Sequence, residues 1–277
     1  VFDQADRILL LGKPLDFTLK FGAVAPKAQW ACVNADWAEC DRVRRAFGDD
    51  VMVFQNPARA MAEELAKGEN RLIRQIWTEE VASLTSQRNV PKTAAGLLPH
   101  HICSGVQSAV KEIKNAIIVC DGGEFGQWAQ AGVTAPRRVI NGVSGAIGGG
   151  LCYAMAARAA DPEATVFALM GDGTVGFHFA EFETAMREDL PFIAIVGNDQ
   201  SWNAEHQIQL RDYGAERTHG CTLTGARYDD AVRAFGGFGA YVDDPADLPD
   251  AIQAAVESGK PACINVRMTG LPAPSFG

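Results

Sequence analysis

The 277-residue sequence has no apolar stretch near the roughly 20 residues of a membrane span, and its N-terminus has no basic segment followed by an apolar one. It also has no excess of positive charge, since 25 Lys and Arg residues stand against 34 Asp and Glu residues, a formal net charge of −9. Without a basic stripe to neutralise phosphates, a nucleic acid is not an expected partner. These absences argue against membrane, exported and nucleic-acid-binding proteins.

The seven cysteines include no Cys-x-x-Cys pair and form no metal-ligand pattern with the five histidines. Most lie inside apolar runs such as residues 117–120, where a small buried side chain is expected. This use of cysteine is typical of a reducing compartment, and we expect a cytoplasmic protein. With 47% hydrophobic and 21% charged residues, the composition is that of a globular protein and excludes disorder and fibres.

Short apolar runs alternate with helical patterns along the whole chain. The runs predict strands over residues 8–11, 31–33, 51–54, 116–120, 165–170, 192–196, 240–242 and 262–266. Helices are predicted over residues 57–66, 70–85, 101–114, 144–160, 175–188, 228–235 and 245–258. Because parallel strands need crossover connections and helices supply them, the alternation predicts an α/β fold with doubly wound parallel sheets. Residues 86–93 mix turn formers and charge and are the best linker candidate.

One polar loop, residues 171–174, follows a predicted strand and precedes a predicted helix. Gly171 and Gly173 let the backbone approach a ligand, and the free N–H groups at a helix N-terminus favour phosphate. Asp172 places a negative charge where a phosphate would bind, and a divalent cation between them resolves the conflict. Magnesium takes one or two carboxylates together with phosphate oxygens. The loop therefore predicts a magnesium-held diphosphate, although Gly-Asp-Gly alone also fits a plain turn.

A second polar segment, Asn198 to Trp202, follows the next predicted strand along the chain. Residues 174–197 separate the two motifs, which is 24 residues and enough for one helix and one strand. Ligands of an open parallel sheet gather beyond the carboxyl ends of its strands. We therefore expect the Asp199 side chain and the Ser201 carbonyl to complete a metal site with Asp172.

Gly-Asp-Gly, a spacer in the mid-twenties and a terminal Asn-Asp resemble the cofactor signature of thiamine-diphosphate-dependent enzymes. Further segments fall in the order seen in the acetolactate synthase group, namely residues 121–123, Trp128, 145–148, 181–185, 190–191 and 261–266. The segment 198–202 looks most like the benzaldehyde lyase branch. The resemblance covers essentially the whole chain and implies thiamine diphosphate and Mg²⁺ as cofactors.

The resemblance also implies roles for individual residues. The metal ligands would be Asp172, Asp199 and Ser201. The cofactor-binding residues would be Gly122, Gly123, Glu124, Phe125, Gly145, Ile147, Asp172, Gly173, Thr174, Asp199, Ser201 and Trp202. Among these, the Gly145 carbonyl would meet the aminopyrimidine, and Ile147 would be the apolar wedge under the thiazolium.

Four of these residues depart from the family pattern or admit a second interpretation. Asp199 stands where many relatives carry Asn, which adds a negative charge to the metal site. Phe125 stands near a position where a polar side chain often contacts the diphosphate, so any contact there must come from the backbone. Ile147, spaced by four from Leu151 and Met155 on a predicted helix, also fits a core position. Trp202 fits a packing role equally well.

The resemblance divides the chain into parts. Residues 1–67 would be the later part of a Rossmann-like central domain, and residues 68–97 a helix and linker. Residues 98–270 would be the diphosphate-binding (PP-type) domain, and residues 271–277 a C-terminal tail. No stretch resembles the family's pyrimidine-binding domain, and the sequence starts at Val1 rather than Met. We expect a truncated, cleaved or split form of a longer enzyme.

The function implied is that of a lyase or carboligase that cleaves or forms carbon–carbon bonds beside a carbonyl of 2-keto acids or 2-hydroxy ketones. An oxalyl-CoA decarboxylase or 2-hydroxyacyl-CoA lyase is the alternative enzyme. A cofactor-binding module without activity of its own is the alternative of another class. The expected partners are a small carbonyl substrate, a pyrimidine-binding domain, and further copies of the chain in a homodimer or homotetramer.

Overall fold

The computed structural model describes residues 2–68, 75–86, 96–141 and 146–274. These residues form two compact units, one before and one after the gap at 87–95. The linker predicted at 86–93 and the start of the helix predicted at 70–85 lie mostly outside the described residues, and the predicted domain bounds stay a prediction.

The first unit contains a three-stranded parallel sheet in the order β1-β2-β3. Its elements are β1 (Arg7–Leu11), β2 (Gln29–Asn34), α1 (Trp37–Phe47), β3 (Met52–Gln55), α2 (Ala58–Lys67) and α3 (Gln75–Ser86). Leu10, Trp30 and Cys32 pack with Val43 of α1 to form a small core. The three strands predicted from apolar runs are confirmed.

The second unit contains a six-stranded parallel sheet. Its strands are β4 (Ala116–Cys120), β5 (Arg137–Ile140), β6 (Thr165–Gly171), β7 (Ile193–Asn198), β8 (Phe238–Val242) and β9 (Ala262–Arg267). Its helices are α4 (Pro99–Glu112), α5 (Gly123–Gly132), α6 (Gly150–Ala160), α7 (Asp172–Val175), α8 (Glu181–Arg187), α9 (Asn203–Tyr213), α10 (Tyr228–Ala234) and α11 (Leu248–Ser258).

Successive residues of these strands point to opposite faces of the sheet, and both faces are buried. Ile118 and Leu169 belong to a core with residues of α4, α5 and α11. Val119 and Ala168 belong to a second core with residues of α6, α8 and α10. Near-continuous apolar strands are what a sheet covered on both faces requires. The doubly wound fold predicted from the sequence is confirmed.

The strand order of this sheet is β5-β4-β6-β7-β9-β8. From β4 the chain goes to β5 on one side and then returns past β4 to β6 on the other. In an open α/β sheet, such a reversal of strand order opens a crevice beyond the carboxyl ends of the two central strands. Here that crevice lies beyond β4 and β6.

Two predicted helices were wrong in extent. The helix predicted over 144–160 begins only at Gly150, because Gly148 has a φ of +94°, which an α-helix cannot contain. Ile147 therefore precedes the helix, and its spacing to Leu151 and Met155 does not place it on that helix face. The helix predicted over 175–188 is divided into α7, a short 3₁₀ turn at Gly176–His178, and α8.

Three elements of the second unit were missed, namely α5, β5 and α9. Helix α5 begins with glycines, and the exposed strand β5 has only two apolar residues in four. Helix α9 reads Asn-Ala-Glu-His-Gln-Ile-Gln-Leu-Arg-Asp-Tyr and buries only Asn203. Without an apolar stripe there is no helical period for a sequence pattern to detect.

All seven cysteines are free thiols, and six of them are buried. Among the described residues, no helix is both long and apolar enough to cross a membrane.

Candidate functional site

The loops that follow β4 and β6 meet in the crevice at the reversal of strand order. Gly123 opens α5 with a φ of +77°, a backbone conformation that side chains disfavour. A Cβ atom at Gly123 would lie 3.8 Å from Thr174 Cγ2, at the start of α7. The first turns of two helices, with their free backbone N–H groups, therefore lie side by side.

Asp172 is the most unusual polar residue of this crevice. It is only 2% exposed, and its Oδ2 atom is buried without a hydrogen-bond partner. Burial raises the pKa of its carboxyl to about 6, against the opposing effect of the Gly173, Gln200 and Ser201 backbone N–H groups. A buried carboxylate oxygen without a partner is costly unless a cation or donor binds it.

Asp199 follows the neighbouring strand β7 and supplies a second acidic group. Burial and the nearby charge of Asp172 raise its pKa to about 7, and Arg267 opposes this only in part. The backbone at Gly270 leaves space for it, since a Cβ there would come within 2.5 Å of Asp199 Oδ2. Two buried carboxyls with raised pKa values, one of them raised in part by the charge of the other, are an arrangement that a divalent cation relieves.

The loop that carries Asp199 is held by the segment after α9. Ser201 forms an antiparallel bridge with Thr222, and its Oγ donates to the Cys221 carbonyl at 3.1 Å. Gln200, between Asp199 and Ser201, has a φ of +60°, so the backbone turns sharply there in the left-handed region. The Asp199 side chain and the Ser201 carbonyl lie on either side of this turn, and the bridge to Thr222 holds the turn in place.

A buried polar network supports the same loop from below. Asn198 Nδ2 donates to Asn265 Oδ1 and to the Ala226 carbonyl, both at 3.1 Å. Asn265 Nδ2 donates in turn to Asp229 Oδ1 at 3.2 Å, and Arg227 pairs with Asp229. Because buried polar groups that satisfy one another hold a single arrangement, the network fixes the end of β7.

Gly173 and Trp202 are in close contact across the two loops. A Cβ atom at Gly173 would come within 2.6 Å of the Trp202 ring, so only glycine allows this approach. Trp202 also meets Phe177 edge to face, with ring centroids 5.9 Å apart. The Thr174 hydroxyl donates to the Gly171 carbonyl at 2.9 Å. Thr174 thus keeps its backbone N–H and the hydroxyl lone pairs for a ligand.

The segment Gly122 to Phe125 is placed at the crevice, but its side chains differ in what they reach. The Phe125 ring is buried against Gly197, where a Cβ would come within 2.6 Å of the ring. The Phe125 ring is therefore occupied by contacts within the chain, and a ligand contact through the Phe125 backbone stays a prediction. The Glu124 carboxyl lies by the Ala273 backbone N–H, and its Oε2 atom is buried without a partner. Burial, with a smaller effect of Glu205, raises its pKa.

Ile147 lies directly over Gly122. A Cβ atom at Gly122 would come within 2.7 Å of Ile147 Cγ2. The Ile147 side chain is half-buried. Gly145 lies outside the described residues, and its expected contact stays a prediction.

Sequence reasoning assigned no role to two residues of this region, although one of them, Asp121, opens a segment that carries the family resemblance. Asp121 is buried at the end of β4, and its carboxylate accepts hydrogen bonds from the Gly122, Gly148 and Gly150 backbone N–H groups. Tyr228 donates its hydroxyl to the Asp172 carbonyl at 3.1 Å. An acidic residue directly after a fully buried strand was the available signal for Asp121. No sequence pattern pointed to Tyr228, which comes from α10.

The crevice combines oxygen atoms that could bind a cation with backbone N–H groups that could bind an anion. In the part of the chain that the structure describes, no three His, Cys, Asp or Glu side chains form a metal cluster. A cation here would take the Asp172 and Asp199 carboxylates, the Ser201 carbonyl and oxygens of a bound diphosphate. This set of oxygen ligands suits magnesium. The fold and the crevice define a doubly wound α/β protein that can bind a cofactor diphosphate at the edge of its sheet.

Comparison with known families specifies the cofactor. The family model of the thiamine pyrophosphate enzyme, C-terminal TPP binding domain, matches residues 121–266, more than half of the chain. The chain belongs to this family. The match begins at Asp121 and contains both polar loops of the crevice.

Relatives extend the similarity beyond that domain. The chain is 31% identical over 275 residues to a probable acetolactate synthase of Mycobacterium bovis, covering 95% of this chain and 48% of the relative. It is 28% identical over 271 residues to 2-hydroxyacyl-CoA lyase 2 of Mus musculus, covering 94% of this chain and 42% of the relative. The chain thus spans about half the length of the curated relatives it matches.

A solved structure shows the same fold. A thiamine diphosphate-dependent 4-hydroxybenzoylformate decarboxylase of Rhodococcus jostii RHA1 superposes with a TM-score of 0.73 at 19% identity. The match covers 95% of this chain and 49% of that chain. At this identity the likeness concerns the fold alone.

Proposed function

We propose that this chain carries the diphosphate half of the active site of a thiamine diphosphate- and Mg²⁺-dependent lyase or carboligase. The enzyme would cleave or form carbon–carbon bonds beside the carbonyl of 2-keto acids or 2-hydroxy ketones. The observation that carries the proposal is the pair Asp172 and Asp199, two carboxyls with raised pKa values beside a glycine loop. Membership of the thiamine pyrophosphate enzyme family names the diphosphate that this pair would hold.

The residues present fit both groups. The partnerless Oδ2 of Asp172, the Asp199 carboxylate and the Ser201 carbonyl would hold Mg²⁺. The backbone N–H groups at the starts of α5 and α7 would hold the diphosphate, because their glycines let it come close. When bound, thiamine diphosphate supplies a nucleophilic carbon and accepts the electrons of a carbanion formed beside a carbonyl.

The chain's own side chains orient the cofactor and shape the pocket. Ile147 over Gly122 would support the thiazolium, while Trp202 and Phe177 form an apolar wall over Gly173. Apolar surface at this position excludes water from the reacting centre, which strengthens electrostatic interactions there. Gly145, placed by the resemblance, would offer its carbonyl to the aminopyrimidine.

The other half of the site would come from a pyrimidine-binding domain, either in a longer form of this chain or in a second subunit. The support is the length of the relatives, of which this chain spans about half. We further propose a homodimer or homotetramer in the cytoplasm. Free buried thiols are consistent with a reducing compartment.

A second candidate is a lyase acting on 2-hydroxyacyl-CoA. Relatives named 2-hydroxyacyl-CoA lyase 2, from Mus musculus and Danio rerio, match 94% and 95% of this chain and favour it. The reaction class is the same, and the substrates differ by the CoA thioester. A cofactor-binding module without activity of its own is the remaining alternative.

The test is thiamine diphosphate binding by calorimetry, with Mg²⁺ and with EDTA, followed by assays of the natively purified protein. We expect Mg²⁺-dependent binding, and turnover of 2-keto acids or 2-hydroxy ketones by a species that contains a pyrimidine-binding domain. Preferred cleavage of a 2-hydroxyacyl-CoA would favour the second candidate. A lone 29.6 kDa species that binds the cofactor but never exchanges its C2 proton would support the inactive module. Absence of binding under all conditions would overturn the proposal.

A further inference from the structure

A buried carboxylate outside the metal pair connects two parts of the crevice. Asp121 is 1% exposed and follows β4 directly. Its Oδ1 accepts from the Gly122 N–H at 2.7 Å and from the Gly148 N–H at 3.0 Å. Its Oδ2 accepts from the Gly150 N–H at 2.9 Å. Three backbone donors on one buried carboxylate make it a strong, charge-assisted anchor.

Contacts around this anchor explain why glycine occupies positions 148 and 150, after Ile147. A Cβ atom at Gly150 would come within 2.9 Å of Asp121 Oδ2 and 2.5 Å of Met170 Cε. Gly148 needs its φ of +94°, and a Cβ there would come within 2.5 Å of Phe177 Cβ. These glycines let the backbone approach Asp121, so the anchor and the glycine run belong together.

The loop from Ala146 to Gly150 is held at three points. Asp121 binds the N–H groups of Gly148 and Gly150, and His178 Nδ1 contacts the Gly148 carbonyl at 2.8 Å. Asn141 Nδ2 donates to the Ala146 carbonyl at 3.1 Å. Ile147 is the residue between these points, and its side chain lies over Gly122, which Asp121 also binds.

We propose that Asp121 is a positioning residue that sets Ile147 over Gly122 and so fixes the apolar support of the cofactor ring. This inference rests on the proposed function. It assigns Asp121 no contact with the metal or the diphosphate. One of its three hydrogen bonds takes the first N–H group of α6, and another takes the Gly122 N–H at the N-cap of α5. The N–H groups within the first turns of α5 and α7 are left for the phosphate groups.

The test compares the full chain with its Asp121→Asn variant. The amide keeps the shape of the carboxylate but removes its charge, and its NH₂ group would face a backbone N–H donor that it cannot accept from. Hydrogen exchange followed by mass spectrometry is expected to show roughly tenfold faster exchange in a peptide covering residues 146–150. A peptide covering residues 198–202 is expected to exchange unchanged. Asp161→Asn is the matched control, because Asp161 flanks the opposite end of α6 and pairs with Arg137.

A second measurement separates positioning from general loss of structure. Inorganic pyrophosphate with Mg²⁺ probes only the metal and phosphate positions, whereas thiamine diphosphate also meets Ile147. We expect Asp121→Asn to weaken thiamine diphosphate binding roughly tenfold and pyrophosphate binding less than about twofold. In an Ile147→Ala background, Asp121→Asn is expected to add little, since both changes act on one contact.

The outcomes are distinct. If the parent chain binds neither probe, the proposed function fails. If the parent binds both and Asp121→Asn weakens both equally, or leaves loop exchange unchanged, the positioning role is wrong. Should Asp121→Asn not fold, Asn141→Ala loosens the same loop at Ala146 and is expected to weaken thiamine diphosphate selectively. Equal loss for both probes in that variant would also overturn the inference.

Discussion

The two parallel sheets of this protein differ in how their faces are covered. In the second unit, β4, β6, β7 and β9 are buried along nearly their whole length. In the first unit, one face of the sheet carries apolar side chains that are largely exposed. Leu9 is 47% and Phe54 49% exposed, whereas Ile195 of β7 is 0% exposed.

The strand register shows that the exposed side chains form one surface. Leu9 and Met52 flank Ala31, and Leu11 and Phe54 flank Val33, so the four exposed side chains lie on one face, which also carries the half-buried Ala31 and the buried Val33. Parallel sheets normally bury both faces. A sheet covered on both faces leaves only its strand ends for polar chemistry. Asp121, Asp172 and Asp199 all follow the carboxyl ends of strands in the second unit.

The largest expected effect is a loss of cofactor affinity, and it tests whether binding depends on the strand ends of the second sheet. Asp172→Ala removes a buried carboxylate from a site with few protein ligands and is expected to weaken Mg²⁺-dependent thiamine diphosphate binding by at least about 100-fold. Calorimetry measures the affinity, and Asp250→Ala, at an exposed position of α11, is the control. Unchanged affinity in Asp172→Ala would refute the metal assignment.

The next prediction concerns the covered sheet itself. Ile195→Thr removes a methyl group and buries a hydroxyl in the fully enclosed strand β7, and is expected to cost about 3 kcal/mol of unfolding free energy. Urea unfolding followed by circular dichroism measures the change. A loss below about 1 kcal/mol would show that the second sheet is less tightly enclosed than the structure indicates.

A third prediction uses the pH dependence of stability that Asp172 and Asp199 cause. Asp172 and Asp199 have pKa values near 6 and 7 in the folded chain, above those of an unfolded chain. The folded chain therefore holds protons more tightly, and the metal-free protein loses stability as pH rises from about 4 through about 7. Asp199→Asn removes one charge and is expected to stabilise the metal-free protein at pH 8 by on the order of 2 kcal/mol, and by less at pH 5.

Urea unfolding in EDTA at the two pH values tests this. Asp250→Asn, an exposed change of the same chemistry, is expected to be neutral at both. An Asp199→Asn variant no more stable than the parent at pH 8 would contradict the mutual repulsion of the pair.

The smallest expected effect comes from the exposed face of the first sheet. Phe54→Thr replaces a half-exposed aromatic residue by a good strand former, so its effect on unfolding free energy is expected to stay within about 0.5 kcal/mol. The same urea measurement compares it with Ile195→Thr. A cost near that of Ile195→Thr would mean that this face is covered in solution.

The apolar strands and the loop that carries Asp172 were accessible to sequence reasoning for a physical reason. A parallel strand that is buried on both faces must be apolar along its length, so an apolar run such as 116–120 is recognisable as a strand. Polar residues mark where each run ends. The loop 171–174 and the segment 198–202 were found in this way. Helix α9, by contrast, buries one polar residue and has no pattern to detect.

The position of Ile147 shows the limit of that reasoning. Its spacing to Leu151 predicted a helix face. The helix starts only at Gly150, because Gly148 has a left-handed backbone and the Gly148 and Gly150 N–H groups donate to the Asp121 carboxylate. Those bonds join residues 27 and 29 positions apart. No local period encodes a contact over such a distance.

The sequence by itself determined the α/β class, every strand except β5, and the two polar loops, because burial on both faces and turn chemistry are local requirements. Only the tertiary structure decided which loops face each other. The reversal of strand order between β5 and β6 brings Gly123 beside Thr174, and the pairing of β6 with β7 brings Asp199 within electrostatic reach of Asp172. The raised pKa values and the Asp121 anchor follow from that assembly, since desolvation and long-range hydrogen bonds exist only once the sheet has formed.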